Sequence, residues 1–529
     1  MNKMSKALKL NTYIPYVLML GVLFLAYYPA LTGYYLHTDD YFWSHWGNFS
    51  RNDVLKFMTI VGRPLSGFLY SCSVYIKKLA WMNLFRVLSV CNLCVAAFFL
   101  FHWFSFHKLN RWFSCILSIT IFTLPSFQVY ASYLSTAPFG IAVTLSILAL
   151  LVVNRGLGEE SRNSLWFYGI AIFVSMMAFA LYQPSACFYL SLLSVPLLVD
   201  QESHFFVFLR KILIYSFIFV CSLTMYYLLW RLWLNWAAIP IVGKYDGRLF
   251  VTAFNTRWEW FMNGPFVEAS NFWNINPLRV VSKLFTVLLG VVFLCSFIIR
   301  NKDNFLKISR STKGIKLVGF DLLKYSSSIL LIPISFLVVL ISSSPSMEYR
   351  TYSALSTTLL LLLILPLVNL SKRINYQVLL NIFAISLMIV GLYYAYTTVK
   401  NYFVIPDSKE IRYIIKTIRD HQLNDNANFS GVAIVMINHP LSPRQRNEIG
   451  QPNTTHTPNI RPIVMTALNE LSIEKSVRVF FCNQETIDSS WGEHGHVFQN
   501  GLGLSTIEIS PQKNTIIVDM NKIDDSLNQ

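Results

Sequence analysis

The sequence predicts a polytopic α-helical membrane protein of about eleven transmembrane helices, followed by a small α/β domain outside the membrane. Three observations lead there. Of the 529 residues, 54% are apolar and only 13% charged, a balance foreign to soluble domains. Apolar runs close to the roughly 20 residues that a helix needs to cross a bilayer recur from Tyr13 to about Val399. From Pro406 to Gln529 the chain turns polar and alternates helix-like with strand-like segments.

The formal net charge of +16 falls mainly between the apolar runs, so it reports topology rather than nucleic-acid binding. Lys3, Lys6 and Lys9 precede the first run and place the N-terminus in the cytoplasm, sending an uncleaved first span, 13–35, outward. The next question is where the chain returns. Segment 62–79 is moderately apolar but ends in Lys77 and Lys78, whereas 84–106 is a cleaner span followed by His107, Lys108 and Arg111. One crossing is therefore expected, with 36–83 a long outer loop along the membrane surface. Further spans follow at about 112–127, 138–153, 164–182, 185–199, 212–236, 279–299, 325–343, 351–370 and 376–398. With this parity Arg155, Arg162, Arg210, Lys211, the basic stretch 300–316, Lys372 and Arg373 face the cytoplasm. The loops at 128–137 and 183–184 carry no Lys or Arg and face outward, as do a large loop at 237–277 and the segment 400–529.

The eight cysteines add little. Six fall in expected spans, and the Cys91/Cys94 pair reads as helix packing, so neither a disulfide framework nor a zinc site is expected. In the tail, 408–422 and 461–471 read as helices, and 431–437, 477–482 and 514–520 as strands.

Polar groups of catalytic type gather on the outward side. HTDDYFW, residues 37–43, puts Asp39 and Asp40 where the chain leaves its first span. A carboxylate there can take a proton from an attacking sugar hydroxyl, or cap an amphipathic surface helix; the two roles are compatible. Arg63, within Gly62–Arg63–Pro64, and Arg86, at the start of the next span, can each grip a phosphate with paired hydrogen bonds or anchor to lipid headgroups. Tyr182 and Gln183 stand in a YQPS turn, where Gln183 can bond a sugar or satisfy a broken helix end. Glu348 and Arg350 can serve the same face or simply pair with each other. The loop 237–277 mixes indoles with Asn, Arg and Glu, which suits sugar faces and the membrane interface alike.

An acidic pair after the first span, a surface-lying loop with a basic residue before proline, and an arginine entering the second span resemble the GT-C class of polyprenyl-phosphate-sugar-dependent glycosyltransferases. TDDYFWSHW, GRPLSGFLY, YQPS and the terminal outer domain are most similar to the bacterial and phage-type serotype-converting O-antigen glucosyltransferases. The resemblance implies an inner-membrane enzyme that moves glucose from undecaprenyl-phosphate-glucose to O-antigen on the periplasmic side, with inversion. It casts one of Asp39 and Asp40 as general base, Asp39 leading, and the other as its partner. Arg63, with Arg86 and Arg350 behind it, would hold the donor phosphate; Tyr182, Gln183 and Glu348 would contact sugar or acceptor. Some members of the class use a divalent metal and others none; without a clear DxD no metal or other cofactor is assigned. The expected partners are the lipid-linked donor, the polysaccharide acceptor and membrane lipid, with no nucleic acid. Two other classes compete: a lipid-linked-sugar transporter or flippase, marked by ionisable groups buried mid-span, and an O-antigen polymerase or ligase.

Overall fold

The computed structural model describes residues 2–35, 51–73, 79–158, 164–200, 205–239, 254–275, 279–308, 312–342, 348–374 and 376–425, together with five short strands beyond. The bundle is built from α1 (Asn2–Ala26), α2 (Tyr28–Thr32), α3 (Arg51–Ile60), α4 (Pro64–Ser73), α5 (Leu79–Phe106), α6 (Arg111–Ile121) and α7 (Pro125–Ser132). It continues through α8 (Ala137–Gly158), α9 (Ser164–Leu181), α10 (Gln183–Ala186), α11 (Phe188–Ser191), α12 (Ser194–Leu198) and α13 (Phe205–Trp236). The remaining helices are α14 (Phe254–Asn263), α15 (Pro265–Ser270), α16 (Arg279–Ile308), α17 (Thr312–Ser335), α18 (Leu337–Ile341), α19 (Ser353–Ile374), α20 (Gln377–Thr398) and α21 (Ile405–Asp425).

Among the described residues, eight helices are long and apolar enough to cross a membrane, or nine if the bent pair α6 and α7 forms one span. This corrects the expected eleven. The other two expected spans are present as shorter apolar helical segments, Tyr13–Ala26 and Gln183–Leu198. The first breaks at Tyr27, ahead of Pro29, and the second divides into α10, α11 and α12. A second correction concerns α17, whose span runs from Ile315 to Ser335, several residues earlier than expected; the chain turns at Phe336, just past Pro333. A helix long and apolar enough for the expected return is present at Asn83–Phe106. α3 and α4 have 10 residues each, about 15 Å, half of a bilayer core, and the long helix that follows is α5.

Lipid offers the backbone no hydrogen bonds, so every break must be sealed from within. At the 65° bend between α6 and α7, Gln128 Nε2 donates to the Thr123 carbonyl at 2.8 Å and Thr123 Oγ1 to Thr120 O at 2.7 Å. Trp273 Nε1 closes the same bend on Thr123 Oγ1 at 2.9 Å, so this indole belongs to the core. α19 runs through the middle of the bundle, where Leu355 and the run Leu359–Leu362 are fully buried.

α20 does not stop where a domain boundary at residue 399 was expected. It passes through a π turn, Val399–Val404, directly into α21, which covers the expected helix 408–422. Beyond it, Gly431–Val435 pairs in parallel with Arg478–Cys482 and with Thr515–Asp519, at the three expected strand positions. His496–Gln499 and Thr506–Ile509 form a separate antiparallel pair. The helix expected at 461–471 lies outside the described residues.

Charge is gathered at one end of the bundle, where α5, α12 and α16 finish and α13 and α17 begin. Asp200 takes a hydrogen bond with His107 Nδ1 at 2.6 Å and a salt bridge from Lys211, while its carbonyl accepts from the buried Lys324 Nζ at 3.2 Å. Arg300 pairs with Asp321 at 3.0 Å and, with Asn369, donates to the last carbonyl of α12, Leu198 O. Burial works to raise the Asp200 carboxyl, but the hydrogen bond and charge of His107 and the charge of Lys211 outweigh it and hold it below the ordinary aspartate value. A depressed carboxyl contributes stability above the unfolded-state pKa and loses it on acidification. The thermal midpoint in detergent should therefore fall as the pH drops below 3.8. Asp200→Asn, which leaves Lys211 unpaired, should cost about 3 kcal/mol at neutral pH and flatten that acid limb.

Candidate functional site

The opposite end collects the breaks and short helices, and most of the residues singled out from sequence. The Gly62–Arg63–Pro64 turn shows why. Gly62 adopts φ +78° and ends α3: its N–H bonds Thr59 O at 3.0 Å while Arg63 N bonds Met58 O at 2.7 Å, a Schellman pair. Pro64 then opens α4 as its first residue, where its missing N–H costs nothing. An added Cβ at Gly62 would stand 2.9 Å from the Tyr226 hydroxyl and 3.0 Å from Gln183 Nε2, so the position takes glycine on two counts.

The turn is docked by side chains from α10 and α13. Tyr226 donates to the Gly62 carbonyl at 2.5 Å, Gln183 Nε2 donates to the same oxygen, and Trp230 Nε1 donates to Thr59 O at 2.7 Å. Gln183 therefore satisfies a helix end, one of its two expected roles. α4 is tied in turn by Ser66 Oγ, which donates to Leu181 O at 2.7 Å, and by Tyr70, which donates to Ser135 O.

Docking aims Arg63 across an aromatic pair. Its guanidinium carbon lies 4.5 Å from the Tyr182 ring centre and 5.6 Å from that of Phe139, and those rings stack 3.6 Å apart at 9°. Arg63 Nε has no hydrogen-bond partner among the described residues. The cluster continues through Tyr130, whose ring centre is 5.9 Å from Phe139 and whose hydroxyl bonds Ser185 Oγ and Arg350 O, each at 2.7 Å. Arg350 holds Glu348 in an ion pair. Arg63, Tyr182, Gln183, Glu348 and Arg350 are thus brought into one neighbourhood.

Arg86 is placed differently. It is fully buried, its ring contact is with Tyr35 at 3.7 Å, and all three guanidinium nitrogens donate, to Ser132 O, Asn83 Oδ1 and Tyr35 O. Tyr35 in turn donates to Ser132 O at 2.8 Å. This clamp fixes the chain four residues before Asp39. Asp39 and Asp40 themselves lie outside the described residues.

Sequence reading missed Tyr130 and Tyr226, tyrosines without polar neighbours in sequence, and Glu268 on α15. Glu268 sits in the large loop with Oε2 buried and unpaired. Burial pushes its carboxyl up to about 7, against a smaller lowering by the Tyr352 hydroxyl that faces it. As one of few acids in 237–277, it could have been found by asking which loop carboxylate sits among apolar residues. Among the described residues no group of three or more His, Cys, Asp or Glu side chains is arranged to hold a metal.

No family model matches the chain, and no curated protein or solved structure shows significant similarity to it.

Two outcomes test this geometry. Gly62→Ala should lower the thermal midpoint by the equivalent of about 1–3 kcal/mol, since it strains φ and crowds both docking donors. A carboxyl raised from 4.5 to about 7 contributes stability that is full below 4.5 and lost as the pH climbs through 7. Glu268→Gln should therefore abolish a decline in midpoint between those values.

Proposed function

We propose that the chain is a membrane glycosyltransferase that moves a sugar, glucose by the resemblance, from a polyprenyl-phosphate carrier to a surface polysaccharide. The supporting observation is the Arg63 guanidinium, held by a docked turn over Tyr182 with a donor left over, at the bundle end where Arg86 clamps Tyr35, four residues before Asp39 in sequence. Four and five residues of chain keep Asp39 and Asp40 within about 14–18 Å of that anchor.

In this reading the acceptor hydroxyl oxygen attacks the anomeric carbon of the donor from the face opposite the phosphate. The C1–O bond to the carrier breaks and its electron pair stays on the phosphate oxygen, where Arg63 meets the growing charge. The hydroxyl proton goes to Asp39 or Asp40. A single displacement inverts the anomeric centre. Arg350, paired to Glu348 and carried on the Tyr130–Ser185 bridge, stands behind Arg63 as a second phosphate candidate. Arg86 we assign to positioning, because its donors are already engaged.

The reading places this end on the periplasmic face of a bacterial inner membrane, with the strands beyond Asp425 forming a small α/β unit on the acceptor side. The transporter alternative draws on Arg300, Asp321 and Lys324, which lie inside long helices; they are engaged with one another or with backbone at the far end, away from the Arg63 cluster.

Transfer of labelled glucose from undecaprenyl-phosphate-glucose to O-antigen in membranes tests the proposal. Asp39→Asn or Asp40→Asn should lower transfer by about 10²–10⁴-fold at unchanged protein level, and Arg63→Gln by about 10²–10³-fold. Wild-type rates in all three variants would overturn the assignment, and wild-type membranes that translocate the lipid-linked sugar without transferring it would favour the transporter.

A further inference from the structure

Where α20 passes into α21, Tyr396, Lys400, Val404, Ser408 and Arg412 recur every fourth residue. A straight α-helix would let such a row drift around its surface. The π turn at Val399–Val404 has a wider repeat and keeps the row on one side. Facing it is the chain between α1 and the Arg86 clamp, and the two approach closely: a Cβ added to Gly33 would stand 2.6 Å from Val404 Cγ1. Between them opens a cavity of about 470 Å³, lined among others by Tyr34, Tyr396, Lys400, Ser408, Lys409 and Arg412. Three cations and no acid are among its described lining residues. The volume suits a small ligand or a lipid headgroup.

We propose that this cavity is a phosphate-binding site for the headgroup of an anionic membrane amphiphile, separate from the Arg63 cluster. Lys400 and Arg412 bring two positive charges to one groove, and a phosphate accepts from lysine and arginine donors at once. The depth fits as well. The cavity lies where the first apolar segment ends and the last one begins to turn polar, the level of lipid headgroups, and tyrosines are the side chains that favour that level. Cations at such a surface are drawn to anionic lipid. The inference stands on its own geometry and does not require the transfer reaction.

The test uses the full chain in phosphatidylcholine nanodiscs, with thermal midpoint as readout, because a ligand that binds only the folded state raises it. Doping with phosphatidylglycerol should raise the wild-type midpoint in a saturable way. Lys400→Gln and Arg412→Gln, with unchanged midpoints in phosphatidylcholine alone, should each need about tenfold more anionic lipid. Lys316→Gln, an exposed charge at the other end of the bundle, should behave as wild type. The same shift produced by inorganic phosphate in undoped discs would keep the phosphate chemistry and make the free ion its source. A wild type that responds to neither probe, or variants that respond exactly as it does, would overturn the proposal.

Discussion

A chain that replaces water with lipid must pair its backbone internally, and this structure spends its polar side chains on that requirement at one end of the bundle. The helices break there repeatedly, at Gly62, Phe122–Leu124, Tyr182 and Phe336. The breaks free carbonyls, and many of the donors that close them come from sequence-distant helices: Trp230 for Thr59, Gln183 and Tyr226 for Gly62, Ser66 for Leu181, Arg86 for Ser132 and Tyr35. The other end is held by ion pairs around Asp200 and Asp321 instead. Among the described residues a bundle so divided has a broken, polar pole and a charge-locked pole, and the first offers irregular backbone around which a site can be shaped.

That division separates two arginines which the sequence presents alike. Arg86 arrives on a long helix beneath Ser132 and Tyr35 and is consumed by their carbonyls and Asn83 Oδ1, so its contribution is to fix the chain at Tyr35, four residues before Asp39. Arg63 arrives at the end of a Schellman turn whose carbonyls are already satisfied by others, and so keeps donor capacity over an aromatic floor. The distinction follows from hydrogen-bond bookkeeping, since a buried guanidinium is committed wherever carbonyls need it.

Much of the fold was legible because hydrophobic run length and lysine placement are dictated by the bilayer itself. The long apolar helix at 84–106 follows from those rules, as does the shortness of α3 and α4. What they could not convey is how a run behaves once packed. Gln183–Leu198 is apolar enough to be counted as a span, yet prolines 184 and 196 and sealing bonds from neighbours divide it. The start of α17 was misplaced because Asp321 and Lys324 look like loop residues until Arg300 is seen beside the first, and Asp200 with the rings of Phe208 and Phe320 around the second. In the site, YQPS was readable as turn chemistry, while its contact with GRP, through Gln183 and Tyr226 on the Gly62 carbonyl, was not, because nothing in a tyrosine at mid-helix announces its partner 164 residues away. Glu268 could be suspected from its apolar neighbours Phe266, Val267 and Ala269, but its raised carboxyl depends on what packs over it, which sequence spacing does not encode.

The central claim is that the Arg63 turn and the helices of the large loop share one pole, which the proposed function turns away from the cytoplasm. Single cysteines at Asn52 and Asn263, exposed on α3 and α14, and at Lys108 and Lys316, exposed at the charge-locked end, put it to the test. In right-side-out membrane vesicles an impermeant maleimide should label positions 52 and 263 at once, and positions 108 and 316 only after permeabilisation. Labelling of 52 and 263 from opposite sides, or of 108 and 316 from outside, would contradict it.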